Sequence, residues 1–194
     1  PEARKLPSRS LFDTQARLSL QDLADLLVFS YGYQKTSNGP RLIAPTGGGL
    51  SSPEAYLVIV DVNDIPEGIY HYDSVGHALE FIIDVNCTLY ASLLNVEHLP
   101  QCLLLGVASL SRVRSKYGDS AFKVTNLDAG VAQTYIRTLS TRLGVALTDY
   151  VDWNGLGLME SAGIAFRENR FVLTHVFGLG DSQPLAMHHD DMVD

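Results

Sequence analysis

Residues 116–144, KYGDSAFKVTNLDAGVAQTYIRTLSTRLG, constrain the fold more than any other stretch of the chain. Lys116-Tyr117-Gly118 reads as a turn, and a Leu-Asp-Ala-Gly step follows at 127–130. Val124, Leu127, Val131, Tyr135, Leu139 and Leu143 then recur at helical spacing. That period predicts one buried helix over about residues 120–143, stopped by Gly144, with a lysine parked at its entrance.

The remaining elements are expected to pack around this helix. Ser19 as N-cap and Gly32 as stop bracket a helix in LQDLADLLVFSYG, where Leu20, Leu23, Leu26, Leu27 and Ser30 share a face. Residues 34–53 are punctuated by glycine and proline and read as loop. AYLVIVDV (55–62) is short, apolar and β-branched, which predicts a buried strand. GIYHYD (68–73) and HALEFII (77–83) flank a Ser-Val-Gly turn, a hairpin signal. CTLYASLLN (87–95) reads as a short helix and LLLGVASL (103–110) as a central strand. VALTDYVD (145–152) and RFVLTHVFG (170–178) are the last strands, with a short helix near 155–162. No repeat and no linker interrupts the pattern, so residues 1–194 are expected to form a single α+β domain around a mixed, mostly antiparallel sheet.

Composition excludes several classes. A formal net charge of −8 counts against a nucleic-acid partner, although a few local donors would suffice for one bound anion. No apolar run approaches the roughly 20 residues that span a bilayer, and the basic N-terminus PEARKLPSRS has no apolar segment behind it. No membrane association is therefore expected. Cys87 and Cys102 sit in apolar stretches without framework spacing, which suits reduced core thiols of a cytoplasmic protein. The chain begins at Pro1, as expected of a trimmed product or of a domain from a longer polypeptide.

Three groups of residues could carry chemistry. APTGGGL (44–50) places Gly47, Gly48 and Gly49 just before a strand. Glycine admits positive φ and lets a flat ligand approach the main chain without an intervening Cβ, while a flexible surface loop would use the same residues. No phosphate-cradling P-loop and no dinucleotide fingerprint is present. Lys116 and Tyr117 are expected directly after the strand 103–110. Partial desolvation there would disfavour the ammonium and make the amine a better base, with the phenol orienting it. The same pair equally suits a solvated loop lysine beside a half-buried tyrosine. Arg4, Lys5 and Arg9 with Ser8 and Ser10 offer phosphate-type donors, or a frayed basic terminus. The histidines have no metal spacing, and His188-His189-Asp190-Asp191 reads as a solvated tail, so no metal site is expected.

With these residues in view, RLIAPTGGGLSSPEAY (41–56) resembles the glycine-loop segment of the nitroreductase superfamily. GIYHYDSVGHALE is similar to the Gly-x-Tyr-x-Tyr-Asp hairpin of its SagB-type dehydrogenase branch, and KYGDSAFKVTNLDAGVAQTYIRTLSTRLGVAL follows that branch's Lys-Tyr helix in register. The three motifs fall in the expected order across most of residues 8–180. That branch holds FMN-dependent oxidases that convert azolines to azoles in ribosomal peptides, together with oxidase domains of nonribosomal peptide synthetases.

The resemblance implies a nitroreductase-like homodimer with FMN at the subunit interface. Pro45, Thr46 and Gly47 to Gly49 would lie against the flavin, and the segment 151–154, with Asp152, Trp153 and Asn154, would supply a backbone donor near its N5. Ser8, Arg9 and Ser10 would face the phosphate, and Lys116 and Tyr117 match the catalytic pair. This sequence departs from the family at Leu6 and Ser10, where basic residues are usual, at Val131 and Thr134 in place of a His-x-x-x-Asn pattern, and at Asp181. The expected activity is oxidation of a thiazoline or oxazoline in a peptide or carrier-protein-bound substrate. Alternatives are a generic NAD(P)H-dependent nitro or quinone reductase and a flavin-free scaffold of the same fold.

Overall fold

The strand Cys102–Ser109 is buried along its whole length. Successive strand side chains point to opposite faces, so such a strand needs cover on both sides of its sheet. The structure, a computed structural model describing residues 18–37, 39–50, 52–164 and 171–180, provides that cover with helices on each face. Among the described residues the order is α1 (Leu20–Tyr31), β1 (Tyr33–Thr36), β2 (Gly39–Leu42), a 3-10 turn (Gly47–Gly49), β3 (Pro53–Ile59), β4 (Gly68–Asp73) and β5 (Ala78–Ile83). Then come α2 (Cys87–Leu94), β6 (Cys102–Ser109), α3 (Leu110–Tyr117), a second 3-10 turn (Gly118–Ser120), α4 (Ala121–Leu143), β7 (Leu147–Tyr150), α5 (Gly155–Ser161) and β8 (Phe171–Leu179). The main sheet has the order β5-β4-β3-β6-β8-β7, and β1 pairs with β2 apart from it. Every described pairing is antiparallel, so the α+β fold is present without the parallel ladder a mixed sheet would contain.

The two faces of β6 feed separate cores. Cys102 and Leu104 join Leu57, Ile59 and Phe177 in a cluster with Leu23, Leu26 and Leu27 of α1 and Ala132 and Ile136 of α4. Leu103, Leu105 and Val107 cluster with Val58 and Val176 and with Tyr90 and Leu94 of α2 and Leu158 and Met159 of α5. Each large side chain so buried contributes about 1.5–3 kcal/mol, which makes this layering the main stabilising feature. The ends expected for two helices are present. Ser19 Oγ accepts the Asp22 N–H at 3.1 Å to start α1, and α4 stops at Gly144 with φ 75°.

One glycine in β6 has a specific partner. The His175 ring of β8 lies across Gly106, where an added Cβ would fall 2.0 Å from ring carbon Cε1. His175 Nε2 is 2.9 Å from the Tyr31 hydroxyl, and Nδ1 is 2.9 Å from Thr174 Oγ1. Burial pushes the imidazole pKa down to about 3, aided by the positive charge of Arg137 and opposed by Asp149. The ring is therefore a neutral, hydrogen-bonded core group.

Four expectations are corrected. Lys116 and Tyr117 do not follow the strand in a turn: they end α3, an 8-residue helix whose apolar contacts come from Leu110 and Val113 and which packs against α4. Too few apolar residues in LSRVRSKY mark its period. Residues 34–53 are not all loop, because YQKT and GPRL pair as β1 and β2; both are short and largely exposed, so neither shows a buried alternation. The inward face of α4 is Ala121, Thr125, Asp128, Ala129, Ala132, Ile136 and Ser140, whereas Leu127 is 61% exposed. Small residues let α4 approach α1 and the sheet closely, so contact distance rather than side-chain size decides which face turns inward. Cys102 is buried as expected, but Cys87 is exposed at the start of α2.

Candidate active site

The turn Gly47–Gly49 joins the β1–β2 hairpin to β3, and its three glycines meet three different surroundings. Gly47 lies against α4, where an added Cβ would come within 2.5 Å of Val124 Cγ1. Its N–H donates to Asp128 Oδ1 at 2.7 Å, and the Ser52 hydroxyl donates to Asp128 Oδ2 at 2.7 Å. Gly48, at φ 62°, faces the end of α3, and a Cβ there would fall 2.6 Å from Lys116 Nζ and 2.8 Å from Tyr117 Oη. Gly49, at φ 69°, has nothing within 4 Å of an added Cβ. Both positive φ values are ones a glycine adopts without strain. Pro45 is exposed, and Thr46 closes the turn by accepting the Gly49 N–H at 3.1 Å through its carbonyl.

The structure thus brings together two motifs 67 or more positions apart in sequence (Gly49 to Lys116, 116 − 49 = 67). Gly118 ends α3 at φ 51° and donates its N–H to the Arg114 carbonyl, which leaves Lys116 and Tyr117 on the last turn. Tyr117 is half-buried against Leu110, Val113 and Ala121, while Lys116 is exposed with Nζ 5.7 Å from the Tyr117 ring centre. The desolvation expected of a strand-end lysine is therefore not supplied within one chain.

Asp152, Trp153 and Asn154 follow β7, and none of the hydrogen bonds described for Trp153 and Asn154 reaches the glycine turn. The Trp153 indole donates to the Tyr150 carbonyl at 3.0 Å. The Asn154 N–H donates to the Leu93 carbonyl at 3.0 Å, and its side chain caps α5 by accepting the Gly157 N–H at 3.0 Å. Asp152 is exposed. Trp153 also walls a mostly apolar cleft of about 390 Å³ with Leu110, Phe122, Leu156 and Phe171, in which Arg114 is the charged group. A more polar hollow of about 300 Å³ touches Gly49 and Leu50 and is lined by Tyr31, Tyr72, Glu54 and Arg112. Arg112 Nη2 donates to Glu54 Oε1 at 2.7 Å, and His71 Nδ1 lies 2.9 Å from Glu80. Burial, then the charges of Glu54 and Glu80, push the nearby Tyr56 phenol up to about 12.

Ser8, Arg9 and Ser10 lie outside the described residues, as do Asp181 and the tail at His188–Asp191. Among the described residues no group of three His, Cys, Asp or Glu side chains could hold a metal ion, and no helix is long and apolar enough to cross a membrane. The residue at the glycine turn that the sequence reading missed is Asp128. Its signal was a carboxylate inside the Leu-Asp-Ala-Gly step, one helical turn after Val124 and so beside the apolar stripe of a periodic helix.

Comparison with known proteins places this geometry in context. No family model matches the chain. A provisionally assigned nitroreductase of Methanocaldococcus jannaschii is 24% identical over 132 residues, a match spanning 66% of this chain and 66% of that protein, just under two thirds of each. Among solved structures, one chain of the Escherichia coli microcin synthetase McbBCD complex, with truncated pro-MccB17 bound, superposes with a TM-score of 0.76 at 21% identity, covering 94% of this chain and 71% of that one. A provisionally assigned nitroreductase of Ralstonia eutropha gives a TM-score of 0.71 at 19% identity, over 95% of this chain and 88% of that one. Another, from Exiguobacterium sibiricum in complex with FMN, gives 0.56 at 10% identity, over 94% and 90%. At these identities the likeness is one of fold. The chain has the nitroreductase-like fold, a central antiparallel sheet flanked by helices.

Proposed function

We propose that this chain is an FMN-dependent oxidoreductase that oxidises a thiazoline or oxazoline to the azole in a peptide or carrier-bound substrate. The observation that carries this reading is the convergence of Lys116 Nζ and Tyr117 Oη on Gly48, beside Gly49, which has nothing within 4 Å of an added Cβ. The structural likeness to a chain of a microcin synthetase complex with a propeptide bound supports the substrate class, and the likeness to an FMN complex supports the cofactor.

The residues present fit one face of a planar ring. Gly49 offers open backbone, and the missing Cβ at Gly48 lets Lys116 and Tyr117 reach the turn. Pro45, Thr46 and Gly47 to Gly49 would hold the ring, the 152–154 segment would offer a backbone donor, and Ser8, Arg9 and Ser10 would meet the phosphate. When bound, FMN supplies the two-electron oxidant, taking the hydride equivalent that the ring loses. Azoline-to-azole conversion removes two protons and two electrons; the hydride equivalent accounts for one proton and both electrons, so the second hydrogen must leave as a proton. In this reading Lys116 accepts it, and Tyr117 orients the amine.

An exposed lysine needs cover to act as a base in a water-excluded site, and a second copy of the chain would supply it. The outward face of α4 suits that role. Phe122 and Leu127 are 58% and 61% exposed. The side chains of Asn126, Thr134 and Thr138 donate back to the carbonyls of Phe122, Gly130 and Thr134, each at 2.8 Å. Covering such a face strands few polar groups. Sedimentation at micromolar concentration is expected to show a species of twice 21.2 kDa; a monomer that retains FMN would overturn the shared-site arrangement.

The cofactor reading has its own test. Gly48→Val places a branched side chain where Lys116 and Tyr117 already lie, at a φ of 62°. The variant is expected to lose the yellow flavin absorbance while its circular dichroism stays that of wild type. Full flavin retention would remove the turn from the site. The Methanocaldococcus relative favours a second reading, an NAD(P)H-dependent nitro or quinone reductase. It predicts nicotinamide-driven reduction that survives loss of Lys116.

A further inference from the structure

We infer that Asp128 is a positioning residue that holds the glycine turn in the shape against which Lys116 and Tyr117 rest. Its functional consequence rests on the FMN-site reading above; its geometry does not. Asp128 is only 4% exposed, and no described cation pairs with it. A buried carboxylate in that position is costly unless its oxygens are used. Both are used, each by a donor that brackets the turn: the Gly47 N–H on entry and the Ser52 hydroxyl on exit.

The network continues past the turn. The Ser52 carbonyl accepts the Ser109 N–H at 2.8 Å, and Ser109 is the residue that launches α3. One carboxylate on α4 is thereby connected to both sides of the site, the turn and the root of the helix that carries Lys116 and Tyr117. Val124, one helical turn before Asp128, packs on Gly47 and sets the depth to which the turn can settle. A carboxylate suits this role because it accepts at both oxygens. An asparagine offers one acceptor and one donor, but the Ser52 hydroxyl can reverse its role and accept. Asp128→Asn therefore retains two bonds, whereas Asp128→Ala leaves the buried Ser52 hydroxyl and the partly buried Gly47 N–H without this partner.

Amide hydrogen exchange over residues 44–52 provides the test, alongside FMN titration and thermal melting of the same proteins. Asp128→Ala is expected to exchange about tenfold faster at Gly47–Gly49, the factor for loss of one ordinary hydrogen bond, with β3 and β6 unchanged. It is also expected to bind FMN at least about tenfold more weakly, for the same reason. Asp128→Asn should stay within about threefold of wild type in both measurements, since it keeps both bonds. Gly47→Ala, whose Cβ would fall 2.5 Å from Val124 Cγ1 and 3.4 Å from Asp128 Oδ1, disturbs the same contact from the turn side and should weaken FMN binding like Asp128→Ala. Ser52→Ala, which removes one of the two bonds, serves in place of Asp128→Ala if the latter fails to fold. Wild-type exchange at Gly47–Gly49 in either of these two variants, or an acceleration spread evenly through β3 and β6, would overturn the inference. Wild-type protein that binds no FMN would instead sink the function proposed above, and the exchange measurements would still decide the role of Asp128.

Discussion

Lys116→Ala is expected to keep its FMN, to remain reducible by dithionite, and to lose azoline oxidation by about 10²- to 10⁴-fold, the usual cost of a missing general base. The lysine is exposed in the single chain and pairs with no carboxylate among the described residues, so its removal should cost little stability. Its Nζ is nevertheless aimed at the Cβ-free side of Gly48, so a loss of rate with an intact fold points to chemistry and not to packing. Tyr117→Phe separates the two partners. A mild effect leaves the phenol as an orienting group, and an effect as severe as that of Lys116→Ala makes it the proton acceptor. Turnover of Lys116→Ala within about threefold of wild type, too small a gap for a lost base, would end the mechanism and leave the reductase reading standing.

Acid is expected to unfold this protein earlier than its carboxylates alone would require. His175 has an ordinary value of 6.5 that burial lowers to about 3 in the fold. Below about pH 6.5 the unfolded chain binds a proton at this ring that the folded chain refuses, so stability falls with falling pH until about 3. The slope from this one group approaches about 1.4 kcal/mol per pH unit within that window, and its contribution is flat above it. Urea melts of wild type and of His175→Gln, from about pH 7 to about pH 4, isolate the term. The variant should be less stable at neutral pH, because Tyr31 and Thr174 lose their ring partner, but its stability should decline less steeply with acid. Parallel curves would mean that the ring protonates within the folded state.

The candidate site was legible in sequence to an uneven degree. Gly47, Gly48 and Gly49 stood out by chemical type, and the structure gives each a separate environment. Lys116 and Tyr117 stood out through resemblance, because an exposed lysine beside a half-buried tyrosine has no local signature of function. Asp152, Trp153 and Asn154 were named with them, yet in one chain the described hydrogen bonds of Trp153 and Asn154 go to Tyr150, Leu93 and Gly157. Any role for their backbone at the flavin needs a ligand or a second subunit. Asp128 went unnoticed because a carboxylate inside a long helix is ordinarily solvated, and only its burial shows otherwise.

Features under local chemical control could be read directly from the residues. Ser19 starts α1, Gly144 stops α4, and the unbroken apolar run of β6 required a sheet covered on both faces. The hairpin of β4 and β5 followed from two segments flanking a short Ser-Val-Gly turn. Tertiary structure alone decided the rotation of α4, which turns Ala121, Ala129 and Ala132 inward and leaves Leu127 outside. It also decided the existence of α3 and the meeting of Lys116 with Gly48. The reason is one of distance. Periodicity reports which residues are apolar, but the close approach of α4 to the glycine turn depends on where a Cβ is missing and on which backbone lies opposite, and those partners are more than 70 residues away in the chain (Val124 to Gly47, 124 − 47 = 77).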